Sequence, residues 1–171
     1  MNAHGGSRLP SQQIALMAQD YFELAYELQM SGDLERAVYY YRRSLDCMQS
    51  PEAYTFMAWT VSMRGEFDSA IDMCRQAIEL DADFGNPWND IGAYLLALGR
   101  SREAIPFLEQ ALRCPRYLTY HYAHYNLGRA YEKLTDFDRA RRKYHDALAL
   151  EPGYMLAREA LDRLERRMAH S

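Results

Sequence analysis

Apolar residues recur along the chain at helical intervals, and the same arrangement returns four times. In the last copy, Phe137, Ala140, Tyr144, Ala147 and Leu148 lie at positions i, i+3, i+7, i+10 and i+11. This spacing puts the apolar side chains on one face of a helix, whereas a half-buried strand would alternate apolar and polar residues. A second apolar-periodic segment precedes each of these, so the pattern predicts pairs of helices along most of the chain.

The breaks between the paired segments are in register. Gly32, Gly65 and Gly99 are 33 and 34 residues apart, and Thr135 takes the same place 36 residues later. Small residues recur seven positions before each break and five positions after it; they are Ala25, Ala58, Gly92, Gly128 and Ala37, Ala70, Ala104, Ala140. Small side chains let two helices approach closely, and glycine commonly ends a helix. A single hairpin cannot bury its apolar face alone, so the repeats predict a stacked solenoid.

The repeated residues resemble the tetratricopeptide repeat, whose pattern is W-x2-L-G-x2-Y followed by A, F, A and P. The third copy contains Trp88-x2-Ile91-Gly92-x2-Leu95, and the fourth contains Leu127-Gly128-x2-Tyr131 with Ala140, Tyr144, Ala147 and Pro152. The resemblance implies an all-α fold, a right-handed α-solenoid of four helix-turn-helix units with a C-terminal capping helix.

The resemblance and the end segments together predict the domain boundaries. We expect a flexible N-terminal tail at residues 1–10 and a capping helix at residues 155–171, which has an amphipathic pattern. The repeats occupy residues 11–154, and their approximate bounds are 18–50, 51–84, 85–118 and 121–154.

Composition and charge exclude several classes of protein. Hydrophobic residues make up 49% and charged residues 26%, which is typical of a folded soluble protein. The net charge of −4 argues against nucleic-acid binding, which requires a basic face. No apolar run is long enough for membrane insertion. The start of the chain lacks the apolar segment of a secretory signal, and three Cys without a CxxC motif suit a reducing compartment, so we expect a cytoplasmic protein.

The sequence contains no motif that indicates catalysis or a cofactor. Phosphate-binding glycine loops, the GxSxG nucleophile motif and the HExxH zinc motif are all absent. His121 and His124 share one helical face, but no nearby residue clearly supplies a third metal ligand. We therefore expect a protein that is not an enzyme and that holds no metal or cofactor.

The resemblance also implies where a partner binds, because the first helices of tetratricopeptide repeats line a concave groove. Carrying the family's groove positions onto this sequence gives six candidate contacts: Phe22, Tyr26, Trp59, Asn89, Tyr125 and Arg129. The groove is then aromatic and Met-rich at one end and polar and charged at the other. Phe22 and Tyr26 stand where the subclass that clamps chaperone C-terminal carboxylates has polar or basic residues, which disfavours that subclass. An aromatic groove suits an amphipathic helix or an apolar peptide. The alternative is that Phe22, Tyr26 and Trp59 only pack between neighbouring helices.

These observations predict a non-catalytic protein-protein interaction module that binds a peptide segment of a partner protein. The charge is uneven, because residues 1–84 carry 6 Arg and 13 Asp or Glu, whereas residues 85–171 carry 14 Arg or Lys and 11 Asp or Glu. A self-associating assembly protein, in which the acidic half of one copy meets the basic half of the next, is therefore one alternative. A small chaperone for secreted proteins is another, on the basis of size and repeat number.

Overall fold

The described part of the protein is almost entirely helical. A computed structural model describes residues 10–170, and this range contains nine α-helices and no strand. The helices are α1 (Pro10–Met30), α2 (Leu34–Cys47), α3 (Pro51–Ser62), α4 (Phe67–Leu80), α5 (Gly85–Ala97), α6 (Ser101–Ala111), α7 (Tyr120–Lys133), α8 (Phe137–Leu150) and α9 (Met155–Ala169). No helix in this range combines the length and the apolar character needed to cross a bilayer.

Helices α1 to α8 form four consecutive hairpins, each packed against the next, and α9 packs against α8. The first hairpin begins earlier than the predicted first repeat at residue 18, because α1 starts at Pro10. Pro10 was predicted to belong to a tail, but proline is favoured in the first turn of a helix, where its missing N–H costs nothing. Residues 1–9, the rest of that predicted tail, lie outside the described residues.

The sequence explains where the helices begin and end. Asp33, Ser50 and Asp136 accept hydrogen bonds from the backbone N–H three residues later, which caps α2, α3 and α8. Gly32, Gly65 and Gly99 follow the first helix of their repeats with φ of 87°, 81° and 76°. Thr135 occupies the same place in the fourth repeat with φ of 61°, a backbone conformation that a β-branched residue rarely adopts.

The two helices of each hairpin interlock through the small residues. Ala37, Ala70, Ala104 and Ala140 are completely buried. A Cβ atom added to Gly92 would lie 2.4 Å from Leu108 side-chain atoms, and one added to Gly128 would lie 2.5 Å from the Tyr144 ring. The glycines are therefore required at the points where the third and fourth hairpins are closest.

The connection between α6 and α7 is tied to the connection before α5. Tyr117, in the α6–α7 connection, is almost completely buried. The Arg116 N–H donates to Asp83 O at 3.1 Å, and the Gly85 N–H donates to Arg116 O at 3.3 Å. The Arg116 guanidinium also pairs with Asp81 and with Glu52 of α3. These contacts lock the third repeat onto the second.

Helix α9 closes the C-terminal end of the solenoid. Its buried face consists of Ala157, Ala160, Leu161 and Leu164. On its exposed side, Arg163 donates to Glu132 Oε2 at 3.1 Å, and the Arg167 guanidinium lies 4.6 Å from the centre of the Phe137 ring. The apolar face and these two arginines together hold α9 on the last hairpin.

Candidate functional site

The first helices of the hairpins form the inner face of the solenoid. Helices α1, α3, α5 and α7 contact one another in sequence, and no comparable packing joins the second helices within residues 10–170. The first helices therefore lie closer together and line the concave side. The predicted contacts Phe22, Tyr26, Trp59, Asn89, Tyr125 and Arg129 all lie on these helices.

Phe56 of α3 is the centre of an aromatic cluster at the N-terminal end of this face. The rings of Phe22, Tyr26 and Trp59 lie edge-on to the Phe56 ring, with centroid distances of 5.3, 5.7 and 6.0 Å. Phe22 also contacts Tyr41 and is partly buried, so it supports the packing between α1 and α3. Tyr26 and Trp59 each keep 41% of their surface exposed, so they pack on one side and face solvent on the other.

A cavity of about 500 Å³ lies beside Trp59, in the centre of the concave face. Its walls come from α3, α5, α7 and the α6–α7 connection, and its aromatic lining consists of Phe56, Trp59, Tyr94, Tyr117 and Tyr122. Polar groups are few and include Ser62, Asn86, Asn89 and Asp90. A mainly apolar cleft of this size with a few polar groups is the usual form of a ligand site.

Three hydrogen bonds connect the acidic side of this cavity with a basic residue farther along the groove. Asn89 Nδ2 donates to Asp90 Oδ1 at 3.2 Å, and Asn126 Nδ2 donates to Asn89 Oδ1 at 3.1 Å. Arg129 Nη1 then donates to Asn126 Oδ1 at 3.0 Å. Asn89 is only 8% exposed and both ends of its amide are occupied, so it orients its neighbours.

Burial raises the pKa of Asp90 to about 7, and the hydrogen bond from Asn89 opposes this effect only in part. A carboxylate that is withdrawn from water without a cationic partner is destabilised relative to its neutral form. Among residues 10–170, no cationic side chain pairs with Asp90. The charged form of Asp90 is therefore costly in the free protein near neutral pH.

The C-terminal end of the groove is basic. A second cavity of about 320 Å³ is lined by Tyr125, Arg129, Glu132, Lys133, Arg163 and Arg167. Glu132 is already engaged, because it accepts hydrogen bonds from Tyr144 at 2.7 Å and from Arg163 at 3.1 Å. The Arg129 guanidinium lies 5.7 Å from the centre of the Tyr125 ring. The cavity thus offers positive charge beside an aromatic face.

Tyr154, in the turn before α9, completes the aromatic surface of α7. Its ring lies edge-on to those of Tyr122 and Tyr125, with centroid distances of 5.5 and 5.3 Å. Burial raises the pKa of Tyr154 to about 12, and the neighbouring tyrosines reinforce the shift. Tyr125 is therefore a packing residue on one side and a groove residue on the other.

The two histidines of α7 do not form a metal site with other residues. His121 stacks against Tyr122 and Tyr154, while His124 Nδ1 lies 3.4 Å from Asp146. Burial, with the nearby Lys143, lowers the pKa of His124. Across residues 10–170, no group of three His, Cys, Asp or Glu side chains is placed to hold a metal ion.

The six predicted contacts fall into three places on one face. Phe22, Tyr26 and Trp59 belong to the Phe56 cluster, Asn89 orients Asp90 beside the central cavity, and Tyr125 and Arg129 line the basic cavity. Four other residues of this face were not predicted from the sequence: Phe56, Asp90, Tyr117 and Tyr154. The sequence does distinguish Asp90, because this charged residue lies between the apolar residues Trp88 and Ile91. It takes the repeat position that Phe56 and Asn126 have in the second and fourth repeats.

Comparison with known proteins agrees with the repeat pattern. Two tetratricopeptide-repeat family profiles match residues 86–113 and 121–154. None of the curated proteins matches the sequence significantly.

Several solved structures share the fold. The structure of pilF from Pseudomonas aeruginosa is 19% identical, with a TM-score of 0.84 over 95% of this chain and 72% of that chain. PilW, a type IV pilus biogenesis factor, is 24% identical, with a TM-score of 0.81 over 87% and 69%. TTC0263, a TPR protein of Thermus thermophilus, is 24% identical, with a TM-score of 0.76 over 88% and 82%. The predicted resemblance and the predicted all-α solenoid are both confirmed.

Proposed function

Because two of its repeats match tetratricopeptide-repeat profiles and its fold is that of such proteins, we propose that the protein binds a peptide segment of a partner protein in its concave groove. Tetratricopeptide-repeat proteins are generally non-catalytic interaction modules that bind other proteins. One observation supports the groove as the place where the peptide binds. Trp59 exposes a large aromatic surface beside an open central cavity on the concave face, and Tyr26 exposes another in the adjoining Phe56 cluster. Large exposed aromatics next to a cleft are typical of binding surfaces.

The groove suits a peptide with an apolar part and an acidic part. The Phe56 cluster offers aromatic surface to apolar side chains, and Met30 and Met63 are exposed nearby. Arg129 and Lys133 offer positive charge at the other end. Because the two regions differ in chemical character, such a peptide lies along the groove in one direction.

Photo-crosslinking tests which face binds the partner. A photoreactive phenylalanine analogue replaces Trp59 on the concave face or, as the matched control, Tyr39, which is 57% exposed on the second helix α2. We expect the Trp59 position to capture a defined segment of a partner and the Tyr39 position to capture none of it. Equal capture at both positions would place the binding site elsewhere.

Calorimetry with the captured segment then measures the contribution of the aromatic end. Trp59→Ala should weaken binding by roughly thirtyfold, because central aromatic residues commonly contribute about 2 kcal/mol. Tyr39→Ala should leave the affinity unchanged, and Arg129→Ala should give a smaller loss that shrinks at high salt. Circular dichroism verifies that each variant remains helical. Unchanged affinity in Trp59→Ala contradicts the proposal.

Self-association is the second candidate, and exposed apolar residues at the two ends of the solenoid favour it. Ile14 and Met17 are exposed on the first turns of α1, and Met155 and Leu156 are exposed at the start of α9. Light scattering over a range of protein and salt concentrations tests it. A mass that stays monomeric throughout removes this candidate.

A further inference from the structure

The central cavity contains a carboxylate that the fold itself leaves without a cation. Asp90 lines the cavity together with Phe56, Trp59 and Tyr94. Its one hydrogen bond comes from the neutral amide of Asn89 at 3.2 Å. A carboxylate can accept several hydrogen bonds, so most of its capacity remains unused.

We propose that this cavity binds one basic side chain, Arg or Lys, of the partner peptide, with Asp90 as its counter-ion. This inference rests on the proposed function, because it names the group that the peptide places at the centre of the groove. It concerns a residue that the groove positions predicted from the sequence did not include.

The walls of the cavity suit a cation on an aliphatic stem. Phe56, Trp59 and Tyr122 offer aromatic surface to the methylene groups, and an ammonium or guanidinium group is attracted to the faces of such rings. A divalent metal is a poorer occupant, because Asp90 is the only carboxylate among the residues that line the cavity.

A second polar atom in the cavity wall is also unsatisfied. The buried Tyr117 hydroxyl makes no hydrogen bond of good geometry within residues 10–170, although Thr119 and the Ala123 backbone lie near it. Asp90 also lies close enough to Tyr117 to raise the pKa of that hydroxyl, although burial is the larger cause. The described residues that line the cavity beside Asp90 include no Lys, Arg or His, so the cation must come from the peptide.

The desolvation of Asp90 and the charge of its surroundings both favour a cation in the cavity. Burial raises the pKa of Asp90 to about 7, so the bare carboxylate is unfavourable, and a cation that enters the cavity removes this penalty. The chain from Arg129 through Asn126 to Asn89 holds the carboxylate in place before the peptide arrives. Helix α3 supplies the adjoining wall. It belongs to the acidic half of the sequence, where residues 1–84 carry 6 Arg against 13 Asp or Glu, and this net charge attracts a basic group.

Selection from a random library tests the inference without knowledge of the natural partner. Twelve-residue peptides displayed on phage are selected against the full chain, with the Trp59→Ala variant as the counter-selection. We expect the enriched peptides to share one Arg or Lys flanked by apolar residues. Enriched peptides without a shared basic residue overturn the inference and leave the proposed groove intact. Failure to enrich any peptide removes the proposed function and this inference together.

A double-mutant cycle then tests the pairing itself. The best Arg-containing peptide is compared with the same peptide carrying citrulline, a neutral isostere, against the wild type and Asp90→Asn. We expect each single change to weaken binding tenfold or more. The two changes combined should weaken binding little more than either change alone. Full affinity for the citrulline peptide overturns the proposal even if Asp90→Asn does not fold.

The same measurements distinguish a second copy of the chain as the occupant. Light scattering on the peptide-free protein shows whether the chain associates and whether Asp90→Asn abolishes that association. Association that depends on Asp90 and competes with the Arg peptide assigns the cavity to a second copy and overturns the peptide proposal. A monomer that binds the peptide supports it.

Discussion

Tyr144 and Glu132 are joined across the last hairpin by a hydrogen bond of 2.7 Å from the tyrosine hydroxyl to Glu132 Oε2. Tyr41 makes the equivalent bond to Gln29 Oε1 at 2.8 Å in the first hairpin, with the same separation of 12 residues. The two central hairpins have Cys74 and Leu108 in place of the tyrosine. The end repeats, which have a repeat neighbour on one side only, thus carry a polar link between their helices that the central repeats lack.

Removing the Tyr41 hydroxyl should destabilise the protein. In Tyr41→Phe the Gln29 oxygen, which is buried, loses its donor, and an unsatisfied buried acceptor costs about 1–3 kcal/mol. Urea denaturation measures the loss, and Tyr39→Phe serves as a control because Tyr39 is exposed. Equal stability of the Tyr41→Phe variant and the wild type would show that the hydrogen bond contributes nothing.

Gly128→Ala should also destabilise, although glycine-to-alanine changes within helices usually stabilise by about 1 kcal/mol. The new Cβ atom would lie 2.5 Å from two atoms of the Tyr144 ring, which is completely buried and tied to Glu132. The ring cannot move away freely, so we expect a loss of about 1–3 kcal/mol from overpacking. Urea denaturation gives the sign of the change in the free energy of unfolding. A gain in stability would mean that the hairpin is loosely packed.

Thr135→Gly should stabilise the fourth repeat. Thr135 has a positive φ of 61°, and the other three repeats have glycine at this place. Relief of this strain outweighs the greater flexibility of glycine in the unfolded chain, for a net gain of roughly 1 kcal/mol. The reverse change, Gly65→Thr, has open space around its Cβ and tests the backbone conformation alone. We expect Gly65→Thr to lower the free energy of unfolding by a similar amount. Unchanged stability in either variant would contradict this explanation.

The stability of the protein should depend on the ionisation of Asp90. The folded chain keeps this proton up to about pH 7, whereas an unfolded aspartate loses it near pH 4. The unfolded state therefore binds fewer protons between these values, and stability falls as the pH rises, by up to about 1.4 kcal/mol per unit. Cys74, Tyr94 and Tyr117, which lie near Asp90, have raised pKa values and stay neutral in this range.

Asp90→Asn isolates this contribution, because asparagine keeps the shape of the side chain and does not titrate. The variant should gain stability over the wild type as the pH rises from about 4 to about 7, the interval between the unfolded and folded pKa values. Paired urea denaturation curves at several pH values measure the difference. A constant difference across the range would mean that the Asp90 pKa is not raised in the folded protein.

Deleting residues 155–171 should expose the last hairpin. Helix α9 buries Ala157, Ala160, Leu161 and Leu164, and Arg163 neutralises Glu132. Without it, the apolar surface of α8 faces water, so we expect aggregation or a clear loss of thermal stability. A soluble monomer that melts at the wild-type temperature would exclude a capping role.

The register of small residues was sufficient to predict the helices and their pairing. Ala37, Ala70, Ala104 and Ala140 are buried in the structure because each lies at a close helix crossing, and such crossings constrain the sequence strongly. The repeat pattern alone does not predict the first turns of α1, because α1 has 21 residues whereas α2 has 14.

The groove was harder to predict than the hairpins. Family groove positions identified Trp59 and Tyr26 but excluded Phe56 and Asp90, which project between neighbouring first helices. Tyr117 comes from the α6–α7 connection, which is longer than the other connections, and Tyr154 precedes α9 as Phe84 precedes α5. Their positions follow from long-range packing, such as the close contact between Gly85 and Tyr117, which local sequence does not encode.

Arg116 has a mechanical consequence for the whole solenoid. It ties the start of α3, the end of α4 and the α6–α7 connection together, whereas the ion pairs in the described part of hairpin α1–α2 are local to that hairpin. A chain pulled from its two ends should therefore release hairpin α1–α2 before the second and third hairpins, which separate as one cooperative step. The central cavity lies against this clasp, so the part of the groove that holds Asp90 keeps its curvature while the ends flex.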